Sequence, residues 1–259
     1  MLPAFDIFGR TVSAYQIFAI IGILTAGIWA CRTAAHRGLD DNDMIIVLLV
    51  AGGGVILGGH LLYGVTQIPY FRLFSAVRSV REFFLAIYIL FGGSVFYGGL
   101  LGGTLAALLT IRAKRLPRGT YFDILTCAAP LFHAFGRVGC FLGGCCYGIE
   151  SSFGFLYQHA IVESANGVRR FPVQLLEAAI NLLLFLLLSR LLKRKKFEGH
   201  LACIYLLLYP VCRFFLEFLR GDAYRGFLLG LSTSQWISII LFAGAILWLT
   251  ARRFRPKTS

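Results

Sequence analysis

Charge is scarce in this sequence of 259 residues: 14% is Asp, Glu, Lys or Arg, with 12 acidic residues against 25 basic ones. A soluble domain carries about a quarter of its residues charged, so a sizeable soluble fold is excluded. Also missing are the alternating segments of about ten residues that a membrane barrel requires. The apolar residues come instead in unbroken runs such as 45–49 and 182–188. There is no Walker loop, dinucleotide fingerprint, metalloprotease helix or serine elbow, which removes nucleotide and common hydrolase chemistry. Low-complexity tracts and the repeats of secondary transporters are absent as well. The seven cysteines are an odd number and sit mostly in apolar runs, which argues against a disulfide framework.

What is present is apolar surface: 58% hydrophobic residues and a mean hydropathy of +0.76 define an all-α integral membrane protein. Seven transmembrane helices are predicted, at 12–31, 44–65, 94–111, 121–141, 172–189, 201–219 and 235–251. The first lacks a basic leader and a small-residue cleavage site, and is expected to be retained. Residues 1–259 are read as a single transmembrane domain. An outer loop at 66–93 carries a short interfacial or re-entrant piece at 83–91, too short to cross, and a second outer loop spans 142–171.

Net charge of +13 would suggest nucleic acid in a soluble chain, but no basic face interleaved with aromatics is visible, and no nucleic-acid partner is expected. Topology explains the charge. With the N-terminus outside and the C-terminus cytoplasmic, 15 Lys and Arg fall in inner segments, including Arg112, Lys114, Lys193, Lys195, Arg255 and Lys257. Eight, among them Arg10, Arg72, Arg170, Arg220 and Arg225, fall outside. That is the bias expected of anchoring to an anionic inner leaflet.

Glycines at four-residue spacing, Gly54 with Gly58, Gly98 with Gly102 and Gly99 with Gly103, suit close helix packing in lipid. The dense run around Gly98 and Gly99 exceeds that need, and is expected to let a ligand headgroup approach the backbone. Ionised groups inside apolar runs cost about 2.5–3.5 kcal/mol each at a helix centre. Under the topology above, His60, Tyr97, Arg137, Gln174, Glu177, Arg213 and Glu217 converge on one level in the outer half of the membrane. Arg213 and Glu217 are spaced for an i,i+4 ion pair. Two carboxylates, Glu177 and Glu217, match Arg137 and Arg213, and at least one arginine is expected to be shared with an anion. An arginine fork suits a phosphate, and a phosphate at this depth without nucleotide motifs is most simply a phospholipid headgroup. A redox reading of Cys145 and Cys146 lacks Cys-x-x-Cys geometry. Metal binding by Cys140, Cys145 and Cys146 lacks a histidine at ligand spacing. No metal and no cofactor is expected.

Six blocks carry a resemblance: residues 54–63 and 92–102; Gly136-Arg-Val-Gly-Cys-Phe-Leu-Gly-Gly-Cys-Cys-Tyr-Gly148; Arg170-Phe-Pro-Val-Gln-Leu-Leu-Glu177; Arg213-Phe-Phe-Leu-Glu-Phe-Leu-Arg-Gly-Asp222; and Leu231-Ser-Thr-Ser-Gln235. In this order the chain resembles the prolipoprotein diacylglyceryl transferase family. The resemblance implies seven transmembrane helices in a bacterial cytoplasmic (inner) membrane. It also implies transfer of the diacylglyceryl group of phosphatidylglycerol to the lipobox cysteine thiol of a prolipoprotein, with release of glycerol phosphate. The site it implies has Arg137, Arg213, Tyr97 and Glu217 as catalytic residues. His60, Gly98, Gly99, Cys140, Gly148, Gln174, Glu177 and Gln235 are implied to bind substrate.

Departures fall at central positions. Tyr97 stands where the family pattern carries His, His60 where it carries Arg, and Cys140 and Cys145 where it carries Asn and Glu. Tyrosine, with an ordinary pKa of about 10, is a poor base at neutral pH. The phospholipid-binding half is kept and the acceptor-activating half is altered. Two alternatives stay open: the same donor with a glycan or small-thiol acceptor, or a non-catalytic phospholipid-binding membrane protein on the same fold.

Overall fold

A computed structural model describes residues 1–222 and 226–253. Arg225, Arg255 and Lys257, counted for orientation, lie outside the described residues. Among the described residues the chain forms eight α-helices: α1 Ala14–His36, α2 Asp41–Thr66, α3 Val80–Phe91, α4 Phe96–Ala113, α5 Arg118–Gly143, α6 Val173–Leu192, α7 Leu201–Leu216 and α8 Thr233–Arg253. Seven helical segments are long and apolar enough to cross a membrane; α3, of 12 residues, is not among them. The seven expected spans are present, and the 83–91 run is the short helix. Leucines and isoleucines such as Leu49, Ile56, Leu183 and Leu247 are exposed, which a helix in lipid permits and a soluble core does not.

Three two-stranded antiparallel hairpins join the helices: β1 Ala4–Ile7 with β2 Arg10–Ser13, β3 Glu150–Leu156 with β4 Arg169–Arg170, and β5 Phe227–Leu228 with β6 Leu231–Ser232. The first and third share a design. Each turns through two residues at positive φ, Phe8 (52°) with Gly9 (74°), and Leu229 (51°) with Gly230 (78°), the turn whose twist matches paired strands. Each then enters a helix through a reciprocal cap. Ser13 N donates to Gln16 Oε1 (3.1 Å) while Gln16 N donates to Ser13 Oγ (3.2 Å). Ser232 N likewise donates to Gln235 Oε1 (2.9 Å) and Gln235 N to Ser232 Oγ (3.2 Å). These are capping boxes, and they stop the hairpin and start the span in four residues. The first span therefore begins at Ala14; Val12 and Ser13, expected inside it, are strand.

Backbone packing divides the chain into two units, residues 31–121 and residues 1–30 with 122–259. The smaller unit is organised by α2 against α4. A methyl group on Gly54 would lie 2.6 Å from the Gly102 carbonyl oxygen and the Ala106 Cβ, and one on Gly58 would lie 2.9 Å from Gly102 Cα. Only glycine lets these backbones approach so closely, as lipid-embedded helices favour.

In the larger unit α1 lies against α5, where Gly139 leaves room for Tyr15 and Phe18, and Gly22 for Phe132 and Phe135. The Asp123 carboxylate of α5 caps α7, accepting from Gly199 N (2.6 Å) and Leu201 N (3.2 Å) and so satisfying amides at that helix start. The segment 142–171 folds around a small core of Tyr147, Tyr157 and Ala165, with Met1, Ala160 and Val162 packed on it. Arg170, assigned above to an outer aqueous segment, is buried there. Its guanidinium donates to the carbonyls of Ala165 (3.1 Å) and Ser164 (3.0 Å) and lies over the Tyr147 ring at 4.3 Å.

Candidate functional site

Three helices of the larger unit each bury a polar stripe at helical spacing. On α5 it is His133, Arg137 and Cys140; on α6, Gln174, Glu177 and Asn181; on α7, Tyr205, Tyr209, Arg213, and then Glu217 in the turn that ends the helix. The centre is Glu177, 2% exposed. Its Oε2 lies 2.9 Å from Arg137 Nε, and its Oε1 accepts from the Tyr209 hydroxyl at 3.2 Å, with His133 Nε2 at 3.7 Å. Arg137 Nε also donates to His133 Nε2 at 3.2 Å. The Tyr209 ring meets His133 edge-on, with centroids 5.5 Å apart.

Arg213 is held separately. Its Nη1 lies 2.7 Å from Glu217 Oε2, the expected i,i+4 ion pair, and its Nη2 donates to Ser234 Oγ of α8 at 3.1 Å. Close by, Arg220 and Asp222 form a two-pronged pair, Nε to Oδ1 at 2.9 Å and Nη2 to Oδ2 at 2.6 Å. Pairing of this kind holds a guanidinium plane in one orientation while leaving other N–H groups to meet an anion.

Of the residues expected from the sequence, Arg137 is paired with Glu177 and Arg213 with Glu217. Gln174 and Cys140 lie on the same stripes. Gln174, 1% exposed, serves the loop after α5, donating from Nε2 to the Cys145 carbonyl at 2.8 Å and exchanging hydrogen bonds with Tyr157. Gln235 was expected to bind substrate; its side-chain oxygen instead completes the capping box of α8, and its Nε2 reaches the Phe214 carbonyl at 3.5 Å. Gly148 was given the same role, but it lies where two backbones meet, bridged to Arg220, and a methyl there would come within 3.1 Å of the Leu219 carbonyl.

His60, Tyr97, Gly98 and Gly99 belong to the smaller unit. There His60 Nδ1 sits 2.7 Å from both the Phe91 and Gly93 carbonyls, tying α2 to the end of α3. Tyr97 is half-buried and packs edge-on against Phe96, with centroids 5.6 Å apart. Gly98 and Gly99, expected to let a headgroup approach, are buried against α2, beneath Gly58, Leu62 and Val55.

The sequence reading missed His133, Tyr205, Tyr209, Ser234 and Asp222. The first three were available as a register signal. His133 precedes Arg137 by four residues, and Tyr205 and Tyr209 extend the Arg213–Glu217 column upward at the same interval. Ser234 and Asp222 carried no such signal, since each meets its arginine through a loop or a neighbouring helix.

After α5 the chain caps itself with a Schellman motif. Gly144, at φ 72°, donates its N–H to the Phe141 carbonyl (3.1 Å), and Cys145 N donates to the Cys140 carbonyl (3.1 Å). Cys146 follows at φ 54°. The sulfurs of Cys140, Cys145 and Cys146, the trio whose metal reading lacked a histidine at ligand spacing, lie within 4.8 Å of one another. The Cys146 thiol is held below its ordinary pKa, first by hydrogen bonds with Cys140 and Cys145 and then by the charges of Arg220 and Arg137, against the cost of burial.

Seven helices long and apolar enough to cross a membrane define a multi-pass membrane protein, and its larger unit holds two carboxylate-paired arginines. The chain belongs to the prolipoprotein diacylglyceryl transferase family, whose profile matches residues 3–251. It is 32% identical over 255 residues to phosphatidylglycerol–prolipoprotein diacylglyceryl transferase 2 of Clostridium perfringens, covering 97% of this chain and 95% of that one. The phosphatidylglycerol–prolipoprotein diacylglyceryl transferase of Clostridium tetani is 30% identical over 255 residues, 98% of each chain. That of Enterococcus faecalis is 32% identical over 262 residues, 98% of this chain and 91% of the other. The resemblance read from the six blocks is borne out.

Proposed function

We propose that this protein, embedded in a bacterial cytoplasmic (inner) membrane with its N-terminus outside, transfers the diacylglyceryl group of phosphatidylglycerol to the lipobox cysteine of a prolipoprotein and releases glycerol phosphate. Displacement at the glyceryl carbon leaves negative charge on the departing phosphate, and fixed cations in a poorly solvated site stabilise that charge more than water does. Arg137 and Arg213 are the residues proposed for this, Arg137 oriented by Glu177 and Arg213 by Glu217. The supporting observation is a pair of ion pairs: two arginines on different helices, Arg137 and Arg213, each lie against a buried carboxylate, Glu177 and Glu217.

The test is lipidation of a prolipoprotein in cells depleted of their own transferase, with mass spectrometry of products from purified protein and phosphatidylglycerol. The expected result is a thioether-linked diacylglyceryl precursor and free glycerol phosphate, both lost in Arg137→Ala. Intact phosphatidylglycerol after incubation with wild-type protein and precursor overturns the reading.

A further inference from the structure

The geometry of the three clustered cysteines follows from the helix end. In a Schellman motif the third-last helical residue meets the second residue beyond the cap, a contact that is usually hydrophobic. Here those residues are Cys140 and Cys145, so the cap itself sets two thiols together. The left-handed backbone at Cys146 then turns a third toward them. A non-glycine residue in that conformation is uncommon. The loop is locked from behind by the Gln174 Nε2 bond to the Cys145 carbonyl, 2.8 Å long. Cys140 is buried and the other two are half-buried, so the cluster opens on one side.

Thiolates are the ligands of soft ions, and a Cys-x4-Cys spacing is within the range of zinc sites. Tetrahedral zinc holds sulfur at about 2.3 Å, which places ligand sulfurs about 3.8 Å apart. The three sulfurs here lie within 4.8 Å of one another. Three thiolates around a divalent ion carry one net negative charge. Three protein ligands and one free position is the pattern of a reactive rather than a structural zinc centre.

We infer that Cys140, Cys145 and Cys146 form a three-thiolate site for a thiophilic divalent ion of the zinc class, with the fourth position taken by the sulfur of the acceptor. The fourth-ligand part rests on the transferase reading above. On coordination the acceptor S–H loses its proton to water. The bound sulfur then forms a bond to the glyceryl carbon as that carbon's bond to the phosphate oxygen breaks, and the electron pair leaves with glycerol phosphate. The ion changes no oxidation state. It supplies the thiol activation that Tyr97 is poorly suited to give.

The test uses the full-length protein purified in detergent without chelators. Elemental analysis is expected to find one zinc per chain, and titration with Cd2+ to produce a sulfur-to-metal charge-transfer band. That band is lost in Cys145→Ser and in Cys146→Ser and kept in Cys31→Ser, which controls for folding. With Co2+ in the site, a lipobox peptide shifts the charge-transfer spectrum, and the same peptide with serine for cysteine does not. A disulfide among the three cysteines in unreduced peptides, a Cd2+ band that survives Cys145→Ser, or a Co2+ spectrum indifferent to the peptide's cysteine overturns the inference. Undiminished lipidation by metal-free Cys145→Ser ends it while leaving the transferase standing. Stoichiometric metal in a protein that leaves phosphatidylglycerol intact supports the three-thiolate site and ends the transferase reading.

Discussion

Arg137 of α5 and Glu177 of α6 are joined across two helices, Nε to Oε2, at 2.9 Å, with both side chains almost fully removed from solvent. Breaking a buried pair from one side leaves an uncompensated charge, at a cost of about 3–5 kcal/mol. Glu177→Gln is therefore expected to lower stability by about 3 kcal/mol and to abolish lipidation, since Arg137 also loses its orientation. Arg137→Ala with Glu177→Gln should destabilise by less than the two single changes added together, because neither charge is then stranded. Thermal unfolding of the four proteins in one detergent gives the coupling. Additivity within about 0.5 kcal/mol would show that the pair is not energetically joined.

The contact between α2 and α4 makes a sharper test of packing. Gly102→Ala places a methyl against Gly58 Cα at 2.9 Å and against the Gly54 backbone, and the helices must separate. Overpacking of this kind costs about 1–3 kcal/mol. Gly52 lies on α2, and a methyl group added there would meet nothing within 4 Å, so Gly52→Ala should be neutral or stabilise by up to about 1 kcal/mol. Equal losses for the two variants would refute close approach of the helices as the reason for these glycines.

Both capping boxes should register in stability. Ser13→Ala and Ser232→Ala each remove one acceptor for a helix-start amide and are expected to cost about 1 kcal/mol. The two boxes are remote in sequence and share no hydrogen bond, so the double variant should lose the sum, read as a shift in unfolding midpoint.

Gln174→Ala removes the donor to the buried Cys145 carbonyl and the partner of Tyr157. Leaving such groups unpaired costs about 1–3 kcal/mol each. Amide hydrogen exchange should rise across 142–171 and stay unchanged in α8. A uniform rise over the whole chain would mean that the glutamine supports the bundle and not the loop.

Much of the bundle was legible because lipid imposes simple demands. Each span must be long, apolar and internally hydrogen-bonded, so seven helices appear as seven runs. The stripe on α7 is half-visible in Arg213 and Glu217, and the same interval adds Tyr205 and Tyr209. His133 stands at that interval before Arg137 on α5. The two terminal hairpins, four or fewer residues to a strand, fall below any periodic signal, although Phe8-Gly9 and Leu229-Gly230 are turn sequences followed by Ser-x-x-Gln caps. The cap contact of Gln235 and the close packing of Gly148 were not legible, because polar or small residues in a family motif look alike on paper whether they bind, cap or pack.

Hydrophobic runs, glycine intervals and charge bias are one-dimensional properties, and from them alone follow a polytopic helical protein and the arginines and carboxylates its site contains. Which acid serves which arginine is a different kind of fact. Arg137 takes Glu177 from another helix while Arg213 keeps Glu217 from its own, because helix packing and not spacing decides which charges meet. The gathering of three sulfurs likewise needed the left-handed turn after α5, a conformation that residue identity permits and only the surrounding fold selects.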